Sequence, residues 1–512
     1  MKSIDTPVNR RALLVNAASN GLAFLAQLAV AFFLAPHLVR HLGDERYGVW
    51  SFVESLLAFF TLFDLGIAAT LVRYVPKCRT DGDDALLNRI ISACLLIFSA
   101  AGALVVLLGA VVFGVVLFAS AKVPDGLRAE AAVMAAVSVL ALAATLPLSV
   151  YPAVLDGMGR FALKSTVRTA FLLLRVAGTV AVLYYDFGLI SLGVAFALTT
   201  VFEHLAMSWI VTRLLPGASP APWRADRATL KLIRGYSIDS FLAMLAGRIS
   251  FKTDAIVIGL CGHLGLIMYF DMPARLVEYG KNLIRSLTTT LTPAFSALEA
   301  QGGTAAIRDL FLTGCRLALY LALPIQIGLW LFGGRFLELW MRDAEFRTRG
   351  EPVLWALAAT MGVAMMQSVA ARVLYGTGKI RLFARLMLLE AVLNLGLSVA
   401  LIGPLGIAGV ALGTAIPNIA MCLIVLAHVC RMLEVNFQTL LNVSIRKPAL
   451  AAAGLVPLWL IVLRLLPPVD RTHFAALIGI GVAAFALTVV LLERGKLPQR
   501  WRGAAWFVRI GK

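Results

Sequence analysis

The stretch Ile90–Phe118 reads IISACLLIFSAAGALVVLLGAVVFGVVLF and contains no charged residue. An α-helix rises about 1.5 Å per residue and the hydrocarbon of a bilayer is about 30 Å thick, so about 20 apolar residues cross it. This stretch exceeds that length. Its glycines and alanines are the small residues that let helices approach closely in lipid. Comparable runs lie on both sides. Ala12–Val39 and Tyr47–Val72 precede it. Ala129–Val150, Thr166–Tyr185, Leu189–Val211, Ile233–Leu260, Leu264–Leu291 and Leu310–Leu331 follow. Pro352–Tyr375, Leu382–Ile402, Leu405–Val429, Pro448–Leu466 and Phe474–Leu492 complete the set. The chain predicts an all-α polytopic membrane protein with about 14 transmembrane helices.

Composition agrees. Of 512 residues, 60% are hydrophobic and 14% are charged, against about 25% charged in a soluble domain. Lys2, Arg10 and Arg11 ahead of the first run mimic a secretion signal. Ala12–Val39 is too long for a signal's apolar core of about 7–15 residues, so it reads as a retained helix. The six cysteines (78, 94, 261, 315, 422 and 430) show no Cys-x-x-Cys spacing and mostly lie in or beside apolar runs. They read as small apolar side chains, not as a disulfide framework or a metal site.

The net charge of +18 is of the kind that cytoplasmic loops accumulate and does not imply nucleic acid. With the N-terminus inside, roughly 29 Lys and Arg fall at cytoplasmic ends and roughly 10 at external ones. Arg213, Arg224, Arg227, Lys231 and Arg234 share one inside loop, and Arg494 to Lys512 form a basic tail. Gly333–Glu351 is discordant: it is external yet carries Arg335, Arg342, Arg347 and Arg349, offset by Glu338, Asp343, Glu345 and Glu351. The expected setting is a bacterial cytoplasmic membrane with both termini cytoplasmic.

The chain repeats itself. Val154-Leu155-Asp156-Gly157-Met158-Gly159-Arg160 matches Val373-Leu374-Tyr375-Gly376-Thr377-Gly378-Lys379. Gly193-Val194-Ala195 matches Gly409-Val410-Ala411, and His41-Leu42-Gly43 matches His263-Leu264-Gly265. The offset is about 220 residues, or six helices, and an even number gives both copies the same orientation. The expectation is two parallel six-helix lobes, 1–215 and 216–432, around a central cavity. Two additional helices and the tail occupy 433–512.

Charged groups inside spans are costly and face a cavity or a partner. Asp271, Arg275, Glu278, Asn282 and Arg285 recur at helical spacing and form one polar stripe with Lys281 beside it. Arg248 and Lys252 lie four apart on the preceding helix with Asp254 nearby, and Arg175 sits midway along the fifth. The competing reading is that these groups snorkel to the interface or neutralise one another. On balance the cluster is cationic, and Arg suits phosphate because its planar fork donates in pairs. An anionic headgroup is the expected ligand of Arg248, Lys252, Arg275, Lys281, Arg285 and Arg175. Glu278, Asp254, Asp64, Glu203 and Glu390 read either as charge partners and packing groups or as ion-coupling sites. No phosphate-binding loop, metal-ligand spacing of histidines or Gly-x-Ser-x-Gly occurs. The expectation is a transporter without catalytic residues, metal or cofactor.

Two regions carry a family resemblance. Residues 41–75 read His41-Leu42-Gly43-Asp44-Glu45-Arg46-Tyr47-Gly48-Val49-Trp50, then Asp64-Leu65-Gly66-Ile67 and Leu71-Val72-Arg73-Tyr74. Residues 374–413 add Leu374-Tyr375-Gly376-Thr377-Gly378-Lys379, Asn394-Leu395 and Gly406-Ile407-Ala408-Gly409-Val410-Ala411-Leu412-Gly413. The chain thereby resembles the polysaccharide-unit (O-antigen or exopolysaccharide repeat) flippases of the multidrug/oligosaccharidyl-lipid/polysaccharide exporter superfamily. The resemblance implies transport of a polyprenyl-diphosphate-linked oligosaccharide to the outer leaflet, with membrane lipid and the polysaccharide polymerase and export machinery as partners. It makes the cationic groups a diphosphate site. A peptidoglycan-precursor flippase carries a similar headgroup and is the alternative. A drug/cation antiporter of the same superfamily would be expected to need uncompensated acids. A membrane glycosyltransferase or polymerase would need catalytic groups on sizeable external loops. Reporter fusions at Ala221 and at Lys512 should both read cytoplasmic; an external reading at either overturns the orientation.

Overall fold

Glycine breaks the two longest helices among the described residues. The computed structural model describes residues 10–64, 67–115, 123–216, 220–227, 229–230, 253–289, 291–379, 381–465 and 471–493. In it the Arg10–Phe60 helix breaks at Gly43 (φ 69°) and the Arg381–Met432 helix at Gly406 (φ 59°). Left-handed backbone costs a residue with a Cβ about 1–2 kcal/mol and glycine little. The two arms about Gly406 fold back antiparallel, as their polar pairs show. Asn418 Nδ2 donates to Glu390 Oε1 (2.7 Å), Asn394 Nδ2 to Thr414 Oγ1 (3.1 Å) and Ser398 Oγ to the Val410 carbonyl (3.3 Å). Gly409 and Gly413 face the opposite arm, and a Cβ on Gly413 would stand 2.6 Å from the Ser398 nitrogen. Small residues four apart are what close helix approach in lipid requires.

The fold is all-α. Among the described residues nine helices are long and apolar enough to cross a membrane, and Arg381–Met432 holds two of the expected runs. The first two runs share Arg10–Phe60 and continue into Ile67–Asp81. Most of the expected seventh helix lies outside the described residues. The chain divides into two compact units, Met1–Met268 and Tyr269–Lys512.

In the first unit Asp84–Val115 packs against Asp125–Leu148. A Cβ on Gly102 would meet the Ala143 carbonyl at 2.7 Å and one on Gly109 the Val139 side chain at 2.8 Å. In the second unit Thr304–Met341 packs against Met361–Gly376 and carries the C-terminal pair, Arg446–Leu465 and Arg471–Glu493. Trp459 of that pair stands edge-on to Phe332 (5.2 Å, 87°). An ionic clasp closes one end. Glu493 binds Lys447 Nζ (3.2 Å) and Arg316 Nη1 (3.7 Å) and accepts from the Tyr320 hydroxyl (3.0 Å). One carboxylate thus joins three helices and offsets two half-buried cations.

The repeat has a structural counterpart inside each unit. Backbone bonds Met158 N to Val154 O, Gly159 N to Asp156 O and Arg160 N to Leu155 O close the first copy's turn. Thr377 N to Val373 O, Gly378 N to Tyr375 O and Lys379 N to Leu374 O close the second. Gly159 (φ 70°) and Gly378 (φ 72°) take the same left-handed position, the usual glycine termination of a helix. The preceding glycines match as well. A Cβ on Gly157 would stand 2.8 Å from Val75 Cβ, and one on Gly376 2.6 Å from Phe295 Cβ.

Alanine at either position forces backbone or Cβ atoms apart, at about 1–3 kcal/mol. That outweighs the helix-propensity gain of about 0.5–1 kcal/mol. Gly157→Ala and Gly376→Ala should therefore each lower the unfolding temperature of the purified protein, while Gly114→Ala and Gly396→Ala, which meet nothing within 4 Å, should not. Equal melting of all four would contradict the packing described.

Candidate functional site

The polar stripe lies on the Ile267–Thr288 helix. At its start, Tyr269 donates to Glu345 Oε2 (3.1 Å) or Asp343 Oδ2 (3.3 Å), and Arg349 sits over its ring at 5.3 Å. Gly350 packs against Pro273 and the Tyr269 carbonyl. Pro273 cannot donate to that carbonyl, which lies four residues earlier. The discordant Gly333–Glu351 segment is neutralised from within. Arg335 pairs with Glu338 (2.6 Å), Arg347 with Glu338 (3.9 Å) and Arg349 with Glu345 (3.1 Å). Arg335, Arg347 and Arg349 are structural partners, so they carry little weight as an orientation signal.

Farther along, the helix divides its faces. Leu276 lines an apolar cavity of about 670 Å³ with Tyr320, Pro324, Phe332, Trp459 and Phe485. Gly280 admits Met361 and Ile325. The polar face holds Glu278, which pairs with Arg285, and Arg285 also donates to Asn282 Oδ1 (3.1 Å). Glu278 and Arg285 are each about a third exposed (34% and 31%). Arg275 lies within electrostatic range of Tyr279, one turn on. Lys281 lies within electrostatic range of Glu278, Arg285 and Glu390. Helical spacing of three residues offers Glu278 either Arg275 or Lys281; its ion pair is with Arg285, two turns away.

Glu390 is buried on the first arm of Arg381–Met432 and held by Asn418. Asn394 is buried one turn on, and its Oδ1 finds no partner. The second unit therefore gathers Arg275, Glu278, Lys281, Arg285 and Glu390 into one neighbourhood spanning two helices.

The first unit carries a separate cluster on the hairpin of Phe161–Tyr184 and Gly188–Leu214. Arg175 donates to Thr199 Oγ1 (3.2 Å) and Thr200 Oγ1 (3.0 Å), and lies 3.7 Å from Glu203 and 5.4 Å from the centre of the Phe196 ring. Trp50 backs that ring edge-on at 4.7 Å. Glu203 is buried and also approaches Arg168 at 4.0 Å. Asp254 opens the helical stretch 253–261, half-buried. Arg248 and Lys252 lie outside the described residues, and so does the Asp64 side chain.

A search for charges passes over the neutral groups that complete these clusters. Thr199, Thr200, Asn394, Thr414 and Asn418 all bridge helices. The signal was present in Glu390-x-x-x-Asn394-x-x-x-Ser398 and Thr414-x-x-x-Asn418-x-x-x-Cys422, two polar series at a spacing of four.

Comparison with known proteins follows the same line. The family model described as "Lipid II flippase MurJ" matches residues 71–469. No curated protein sequence matches the chain. Among solved structures, the lipid II flippase MurJ in an inward closed conformation superposes with a TM-score of 0.74 at 15% identity, covering 94% of this chain and 99% of that one. An inward-facing multidrug resistance transporter of the MATE family, MOP superfamily, gives 0.67 at 16%, covering 82% and 98%. An outward-facing conformation of a MATE family transporter gives 0.55 at 17%, covering 83% and 95%. At these identities the structural likenesses establish the fold, which is the one expected. The family match spans most of the chain, and the protein belongs to the MurJ lipid II flippase family, a family of transporters and not of enzymes.

Proposed function

We propose that the protein flips a polyprenyl-diphosphate-linked saccharide across the bacterial inner membrane, and that its substrate is the peptidoglycan precursor lipid II. The match of residues 71–469 to the lipid II flippase family carries this reading. It favours the peptidoglycan precursor over the polysaccharide repeat unit that the motifs of residues 41–75 suggest. The two substrates share a diphosphate that hydrocarbon excludes. Charge placement is therefore common to both readings.

The proposed headgroup ligands are Arg275, Lys281 and Arg285 from the second unit and Arg175 from the first, together with Arg248 and Lys252. Arg285 pairs with Glu278 and donates to Asn282, Arg175 donates to two threonine hydroxyls, and Lys281 lies within electrostatic range of Glu278 and Glu390. Such partners position a guanidinium and can be exchanged for phosphate oxygens. Glu278 and Glu203 fill charge-pairing roles. Glu390 and Asp254 remain the ion-coupling candidates, Glu390 because it is buried on an amide rather than in an ion pair. The apolar cavity bounded by Phe332, Trp459 and Phe485 offers a surface suited to the prenyl chain. The lobes would alternate access to the headgroup ligands, with both termini cytoplasmic.

The test is replacement of the resident lipid II flippase in a conditional strain. Cells relying on this chain should keep growing and should expose lipid II to an added lipid II-cleaving enzyme. Arg275→Ala should abolish that exposure at normal protein level, and Arg275→Lys should restore part of it, since charge returns without the fork. If growth stops and lipid-linked polysaccharide units accumulate in a deletion of the native gene, the polysaccharide-unit reading replaces this one. Full activity of an Arg248→Ala, Arg275→Ala double mutant would remove the diphosphate site.

A further inference from the structure

Trp223 and Phe437 are among the most exposed aromatic side chains of the described residues, at 84% and 74%. Each belongs to the connecting segment that leaves a helical hairpin. Trp223 lies in the turn Pro222–Arg224, and Phe437 opens the short helix Phe437–Leu440. Both segments are tied down. Ala221 N donates to Ser92 Oγ (3.0 Å), and Asp226 accepts from Thr229 N (2.6 Å) and pairs with Arg89 (3.6 Å). In the second unit Ser444 Oγ donates to the Leu312 carbonyl (2.8 Å), and Asn436 caps Thr439 N (2.7 Å).

These ties fix depth. Ser92 lies two residues inside the apolar run that starts at Ile90, and Leu312 two residues inside the run that starts at Leu310. The segments therefore rest at the edge of the hydrocarbon, and a ring held outward at that level faces the headgroup boundary. Aromatic rings favour that zone. Ser92 and Leu312 are also equivalent under the internal repeat, so the device occurs once in each unit. Arg224 and Arg227 accompany Trp223; Arg431 and Arg446 flank Phe437. Of the nearby acids, Asp226 is committed to Arg89 and Thr229, and Glu434 is outnumbered by the arginines.

We propose that the two connecting segments are matched interfacial anchors, each inserting one aromatic ring at the bilayer boundary and binding anionic phospholipid headgroups through its arginines. The anchors hold each unit at a set depth independently of what is transported.

The full-length protein, reconstituted in vesicles of phosphatidylcholine and phosphatidylglycerol with bromine on one lipid at a time, tests this. The chain has nine tryptophans, so the emission of Trp223 is taken as wild type minus Trp223→Phe, and Phe437→Trp reports the second anchor. Both signals should be lost in brominated vesicles, more completely with bromine on phosphatidylglycerol. Arg224→Gln with Arg227→Gln should erase that preference for the first anchor. Retained emission with a water-exposed spectrum overturns the proposal, as does retained emission with cross-linking between copies, which would make the face a protein contact. Equal quenching by both lipids overturns the anionic recognition.

Discussion

In hydrocarbon an apolar side chain gains nothing by leaving lipid for another helix, and a polar group has no water to turn to. Helices are therefore held by close backbone approach and by polar pairs that satisfy one another. The glycines do the first. Gly102 and Gly109 let one hairpin close, Gly157 and Gly376 bring equivalent helices together, and Gly409 with Gly413 closes the hairpin about Gly406. The polar pairs do the second. Arg175 with Thr199, Asn394 with Thr414, and Glu390 with Asn418 each join two helices that apolar packing alone would leave free to slide.

The same constraint shapes the candidate site. A cation inside a span needs a partner, yet one fully committed to a carboxylate would hold a phosphate weakly. The described cations take intermediate arrangements. Arg285 shares itself between Glu278 and Asn282, and Arg175 donates to two hydroxyls and stays 3.7 Å from Glu203. The threonine hydroxyls satisfy donors of Arg175 without cancelling the charge that an anionic headgroup would meet. By contrast, Glu493 holds Arg316 and Lys447 away from the polar stripe and serves packing of the last helices.

Much of this was legible in the sequence, for local reasons. Spans follow from hydropathy and length, and the repeat from glycines that a left-handed turn requires, as at Gly159 and Gly378. Partner choice was less legible. Spacing of three or four suggested Arg275 or Lys281 for Glu278. Arg285 instead reaches back two turns, and Lys281 lies within electrostatic range of Glu390 on another helix. Tertiary neighbours decide between partners that helical spacing makes equal. The neutral bridging groups escaped because a search for charge does not weigh an asparagine or a threonine. The sugar was illegible for a different reason. Lipid-linked saccharides share the diphosphate, so charge placement does not distinguish their sugars. The family match, not the charges, moves the reading from polysaccharide unit to peptidoglycan precursor.

The two copies preserve geometry while changing charge. In the first hairpin a guanidinium donates to a threonine hydroxyl on the facing helix, Arg175 to Thr199 at 3.2 Å; in the second an amide does so, Asn394 to Thr414 at 3.1 Å. The acid sits on the second helix of the first hairpin, at Glu203, and on the first helix of the other, at Glu390. Backbone packing confines where a polar group can stand, because only a site facing the neighbouring helix escapes lipid. The identity of that group is then free to vary so long as a donor meets an acceptor. Hairpin packing therefore fixes where polar side chains stand in each unit, and the residue at each position sets their sign. At the matched donor position the first unit thus carries a guanidinium and the second a neutral amide, while each hairpin keeps one buried carboxylate.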